Sequence, residues 1–129
     1  MPLIGTNGSL VVTDRLPSSQ RLIQLLGGRW TLAVLSELSD QGHRYQELHD
    51  GLQSISYKVL TDTLRRAERD GLITRRVDPE RIESATLYEL TDLGRSLDVP
   101  LGAVGRWVET NWNLVEAAHR HWDARSKNG

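Results

Sequence analysis

The chain contains no cysteine and no phenylalanine, and its apolar runs are too short and too interrupted by charge to span a bilayer. The missing thiols exclude disulfides, thiolate metal sites, a cysteine nucleophile and a thiol redox switch. The first fifteen residues lack the basic start and continuous apolar core of a signal peptide, so a cytoplasmic location with no membrane partner is expected. Neither sign of charge is in excess. Sixteen Lys and Arg stand against 17 Asp and Glu, a net charge of -1, which argues against a histone-like polycation and leaves local patches to be read separately. There is no Gly-x-Ser-x-Gly elbow and no phosphate-cradling glycine loop, and the carboxylates are scattered among arginines, so no catalytic residue and no enzyme are expected. His119 and His121 diverge on a helix, and neither His43 nor His49 has a carboxylate at a metal-ligand spacing. No metal and no other cofactor is expected.

What is present is helical punctuation. The 129 residues suit one domain with an arm: residues 1–14 read as a flexible N-terminal arm, 15–122 as the domain and 123–129 as a C-terminal tail. Pro17 opens a helix carrying Leu22, Ile23, Leu25 and Leu26, which Gly27-Gly28 stops. Trp30, Ala33, Val34, Leu35 and Leu38 give a second helix, His43-Arg44-Tyr45 is a minimal strand, and Tyr45 to Gly51 is a third helix. Ser56 is a good N-cap for a helix running to about Asp70, with Val59, Leu60, Leu64 and Ala67 inward and Tyr57, Lys58, Thr61 and Arg65 outward. Asp62 is spaced to pair with Arg65 or Arg66. Residues 72–77 and 85–90 read as a β-hairpin whose polar tip contains Pro79. Thr91 caps a last helical region that Pro100 breaks or restarts, and from Leu101 onward apolar residues recur along two stripes. A helix with two apolar faces needs two partners, one of which is most economically a second copy of itself.

The order helix, turn, helix, hairpin predicts a mostly α fold with a small β-hairpin wing (α+β), a winged helix-turn-helix dimerising through its N- and C-terminal helices. Charge agrees. Between Ser54 and Val77, Lys58, Arg65, Arg66, Arg69, Arg75 and Arg76 face only Asp62, Glu68 and Asp70, a local excess of cations in a chain of net -1.

Five segments in this order resemble the HxlR-type family of bacterial transcriptional regulators: Gly27-Gly28-Arg29-Trp30-Thr31-Leu32, Arg44-Tyr45-Gln46-Glu47-Leu48, Ile55-Ser56-Tyr57-Lys58-Val59-Leu60-Thr61 with Leu64-Arg65, Asp70-Gly71-Leu72-Ile73, and Tyr88-Glu89-Leu90-Thr91-Asp92-Leu93-Gly94. The similarity spans about Leu16 to Trp122. It implies a homodimer whose first and last helices form the interface and which binds an inverted-repeat operator in double-stranded DNA. The chain departs from the family at two places. Pro17-Ser18-Ser19-Gln20 carries no cysteine where oxidant-sensing members have one, and Glu80-Arg81-Ile82-Glu83-Ser84 replaces the usual proline pair and basic residue of the wing.

The expected DNA-binding residues are therefore Ser56, Tyr57, Lys58, Thr61, Arg65, Arg66, Arg76 and Arg81, with strand alternation allowing only one of Arg75 and Arg76 to face DNA. The expected dimer seam holds Leu22, Leu26, Trp107, Val108 and Val115, and Trp107 with Trp112 is a candidate wall for a small-molecule effector. Two alternatives stay open: a ligand-sensing regulator with that aromatic pocket, and a winged-helix module that binds protein instead of DNA.

Overall fold

The computed structural model describes residues 16–77, 80 and 86–128. The expected arm (1–14) and the wing-tip cation Arg81 lie outside the described residues. Two units are distinguished, one ending at Arg95 and the other beginning at Ser96.

The first unit contains α1 (Leu16–Leu26), α2 (Thr31–Glu37), β1 (His43–Arg44), α3 (Tyr45–Gly51), α4 (Tyr57–Arg69), β2 (Ile73–Val77), β3 (Thr86–Leu90) and the single-turn α5 (Asp92–Arg95). The strands form one antiparallel sheet in the order β1-β3-β2, with Ile73 opposite Leu90, Arg75 opposite Tyr88, and His43 opposite Tyr88 on the other side. The minimal first strand thus widens the hairpin to three strands. Val34, Leu35 and Leu38 of the α2 region, Leu48, Leu52 and Ile55 around α3, Leu60, Leu64 and Ala67 of α4, and Leu72, Ile73 and Leu90 of the sheet form the core. Full burial of each large side chain stabilises by ~1.5–3 kcal/mol.

Local chemistry sets the ends of these elements. Glu47, in the first turn of α3, accepts from the Arg44 backbone N–H at 2.9 Å, and Ser56 Oγ accepts from Val59 N at 3.1 Å at the start of α4. α4 ends in a Schellman arrangement in which Leu72 N donates to Ala67 O and Gly71 N to Glu68 O, each at 3.0 Å, with Gly71 at φ 79°. Thr91 then ties three pieces together: its N–H reaches Leu72 O at 3.0 Å, its hydroxyl donates to Gly71 O at 2.6 Å, and it accepts from Gly94 N at 3.0 Å. A Cβ on Gly94 would collide with the Leu72 carbonyl, so glycine lets α5 close onto the start of β2.

One expectation is corrected and two are made more precise. Val59, expected inward, is 38% exposed, and Thr63 takes the buried place, its hydroxyl donating to Val59 O at 2.7 Å. Positions 60, 63, 64 and 67 share one helical face, whereas 59 lies outside that stripe. The final helical region is interrupted before Pro100: α5 stops at Arg95 and the second unit begins with its own helix, α6 (Asp98–Asn128), in which Pro100 sits in the first turn where its missing N–H is harmless. Because α6 continues to Asn128, the residues expected as a tail are helical through that point.

Among the described residues, no helix is long and apolar enough to cross a membrane. Along α6, Val99, Val104, Trp107, Val108, Trp112, Leu114 and Trp122 are all exposed.

Candidate nucleic-acid interface

The loop from Leu52 to Ser56 joins α3 to α4 and turns at Ser54, whose φ of 75° is left-handed. It delivers Ser56 as the cap of α4, so the first free N–H groups and the outward side chains of α4 emerge together. Tyr57 is 55% exposed. Its ring stacks on His49 at 3.8 Å between centroids and 8° between planes, and lies 6.2 Å from the Tyr45 ring at 14°. The Tyr45 hydroxyl reaches the Tyr57 carbonyl at 2.9 Å and Thr61 Oγ1 at 2.8 Å. Two residues of α3 therefore hold the first turn of α4, one by stacking and one by hydrogen bonding.

The cations divide into paired and unpaired sets. Lys58 Nζ meets Asp62 Oδ2 at 3.0 Å, so Asp62 pairs one turn back rather than with Arg65 or Arg66 as the spacing also allowed. Arg75 Nε meets Glu68 Oε2 at 2.9 Å, tying β2 to α4. Arg76 takes Glu89 of β3 through both carboxylate oxygens, with Nη2 to Oε2 at 3.3 Å. The two arginines thus use different partners, as alternation along a strand requires. The hydrogen bond that Arg75 donates to Glu68, backed by the carboxylate charge, raises the Arg75 pKa above its ordinary value, and the hydrogen bond from Arg76 lowers that of Glu89. Among the described residues, Arg65, Arg66 and Arg69 have no ion pair. Arg66 leans toward the α1–α2 turn, where a Cβ added to Gly28 would stand 3.0 Å from its Nη1. Between α4 and the sheet, Tyr45, Thr61, Leu64, Arg65, Glu68, Arg75 and Tyr88 line a cleft of about 120 Å³.

Of the expected site residues, Ser56, Tyr57, Lys58, Thr61, Arg65 and Arg66 share α4 and its cap, and Arg76 stands on β2. Thr61 is half-buried and bonded to Tyr45. Tyr45, His49, Glu68 and Glu89 are the contributors that sequence reasoning missed. Their partners are 7 to 16 residues away, and only the tertiary fold makes them neighbours. On α6, Trp107 and Trp112 are five positions apart and so diverge by about 140° around the axis. A pocket walled by both rings needs a second surface. Leu22 and Leu26 are half-buried and Ile23 is 67% exposed on α1.

A short helix, a turn, a second helix with an exposed cationic face and an antiparallel wing define a winged helix-turn-helix DNA-binding protein. The model of the HxlR-like helix-turn-helix family matches residues 25–116. The chain belongs to that family of transcriptional regulators. It is 31% identical over 103 residues to the HTH-type transcriptional regulator YvaP of Bacillus subtilis (strain 168), itself described as uncharacterized, covering 78% of this chain and 91% of YvaP. Among solved structures it is similar to a protein of Enterococcus faecalis V583 described as a transcriptional regulator of the MarR family, with TM-score 0.69, 31% identity, and 84% and 96% of the two chains covered. The redox regulator HypR in its reduced form aligns with TM-score 0.70 at 27% identity, covering 77% of this chain and 97% of HypR.

Proposed function

We propose that the protein is a cytoplasmic homodimer that recognises an inverted-repeat operator, each protomer laying α4 in a major groove. The observation that carries this reading is the outward face of α4, where a capped N-terminus, the Tyr57 ring, Lys58 and the unpaired Arg65 stand together. A helix N-terminus and cations meet phosphates, while long side chains on the same face reach base edges. Alanine at Lys58 or Arg65 is expected to weaken operator binding by ~1–3 kcal/mol and to relax preference at one position if the side chain reads a base; a phosphate contact weakens all sequences alike. Unchanged affinity in both variants overturns the assignment.

The dimer is supported by the exposed apolar residues of α6 and by Ile23 of α1, which an isolated protomer leaves in water. Leu22, Leu26, Trp107, Val108 and Val115 are assigned to the seam. Control by thiol oxidation is excluded from the proposal because this chain has no cysteine, although HypR is described as a redox regulator.

A second reading, favoured by the exposed Trp107 and Trp112, is capture of a flat small-molecule effector against the dimerised α6 helices. Quenching of tryptophan fluorescence by aromatic metabolites, lost in Trp107→Leu, supports it. A module that binds protein instead of DNA is separated by salt: phosphate binding weakens steeply with added salt, and an apolar interface does not.

A further inference from the structure

We infer that Tyr45 fixes the polarity of the Thr61 hydroxyl, so that Thr61 offers a DNA base only acceptor lone pairs and selects a base edge carrying an exocyclic amino group, that of adenine or cytosine. The inference rests on the reading of α4 as the recognition helix.

It follows from counting protons. A tyrosine hydroxyl has one proton, and a backbone carbonyl only accepts. The Tyr45 hydroxyl lies 2.9 Å from the Tyr57 carbonyl, so its proton is committed there. The 2.8 Å contact between Tyr45 Oη and Thr61 Oγ1 then has one possible donor, the Thr61 hydroxyl. With its proton turned inward to Tyr45, Thr61 has only lone pairs left to face outward. Thr61 lies one turn after the exposed Tyr57 and one turn before the exposed Arg65, on the same strip of α4, and is itself half-buried. In the major groove adenine N6 and cytosine N4 are donors, whereas guanine O6 and N7 and thymine O4 are acceptors that would meet these lone pairs unfavourably. Tyr45 is thus a positioning residue. It acts on the base through Thr61, from the helix that precedes the turn.

The test begins with selection of a preferred site from a pool of randomised DNA duplexes by the wild-type protein. Absence of any sequence preference overturns the recognition-helix reading itself, before Tyr45 enters. The position that Thr61 reads is then the one whose preference Thr61→Val changes; no change at any position overturns the inference alone. At that position the amino group is deleted by replacing adenine with purine or cytosine with 2-pyrimidinone. Wild type and Thr61→Ser are expected to lose about three- to tenfold in affinity on deletion, Thr61→Val nothing, and Tyr45→Phe less than twofold, with the other positions unaffected. Wild-type indifference to the deletion, or an equal loss in Tyr45→Phe, overturns it. Circular dichroism establishes that Tyr45→Phe is folded; if it is not, the wild-type, Thr61→Val and Thr61→Ser deletions decide.

Discussion

Ser54 and Ser56 stand two residues apart and are constrained in opposite ways. Ser56 is extended and caps α4, so Ser56→Ala is expected to lower stability by ~1 kcal/mol in denaturant titration, whereas Ser56→Asp should retain most of it. Ser54 holds φ at 75°, where a branched side chain is strained. Ser54→Val should destabilise by ~1–2 kcal/mol and Ser54→Gly should not. The cap was legible because serine before an amphipathic stretch has a mechanical meaning at that place. The left-handed turn was not, since serine carries no mark of it. Thr63 illustrates the converse error: an apolar Val59 looks like core by type, yet burial follows the 60-63-64-67 stripe, and Thr63 tolerates it by donating to the Val59 carbonyl.

The helices and strands were legible because glycines, caps and changes of period punctuate the chain. Their mutual attachment was not, being carried by pairs such as Glu68 with Arg75 and Arg76 with Glu89, whose members belong to different elements. The Arg76–Glu89 pair makes a pH prediction for the wing. Arg76 lowers the Glu89 pKa, so the stabilisation is fully present above the ordinary carboxylate range and is lost as pH falls through the lowered value. The difference in melting temperature between wild type and Arg76→Ala should therefore be present at neutral pH and close below about pH 4. A difference that persists undiminished in acid would assign it to packing of the arginine stem instead. Gly94→Ala should loosen α5 from β2, because the added methyl meets the Leu72 carbonyl; faster hydrogen exchange at the Thr91 amide is the readout.

For the molecule as a whole, periodicity revealed the two apolar stripes of α6 but not what covers them, since exposed valine and tryptophan specify a need for burial and no particular partner. On the dimer reading, Val108→Glu or Val115→Glu should convert the protein to monomer in sedimentation and weaken operator binding, although neither residue touches DNA; two recognition helices spaced roughly 34 Å apart bind one operator only when joined. A monomeric variant with full operator affinity would refute it. The internal ion pairs have a further consequence for how DNA is held. Of the four cations of this segment expected to face DNA, Lys58, Arg65, Arg66 and Arg76, two, Lys58 and Arg76, already neutralise carboxylates of the same chain. When such a cation turns to a phosphate it strands its former carboxylate, so it displaces few condensed counterions in net terms. The logarithmic dependence of affinity on salt contributed by this segment should then be nearer ~1.8 per protomer than the ~3.6 that four free cations would give. Removing Asp62 and Glu89 should steepen it, trading discrimination between sequences for indiscriminate attraction to any duplex.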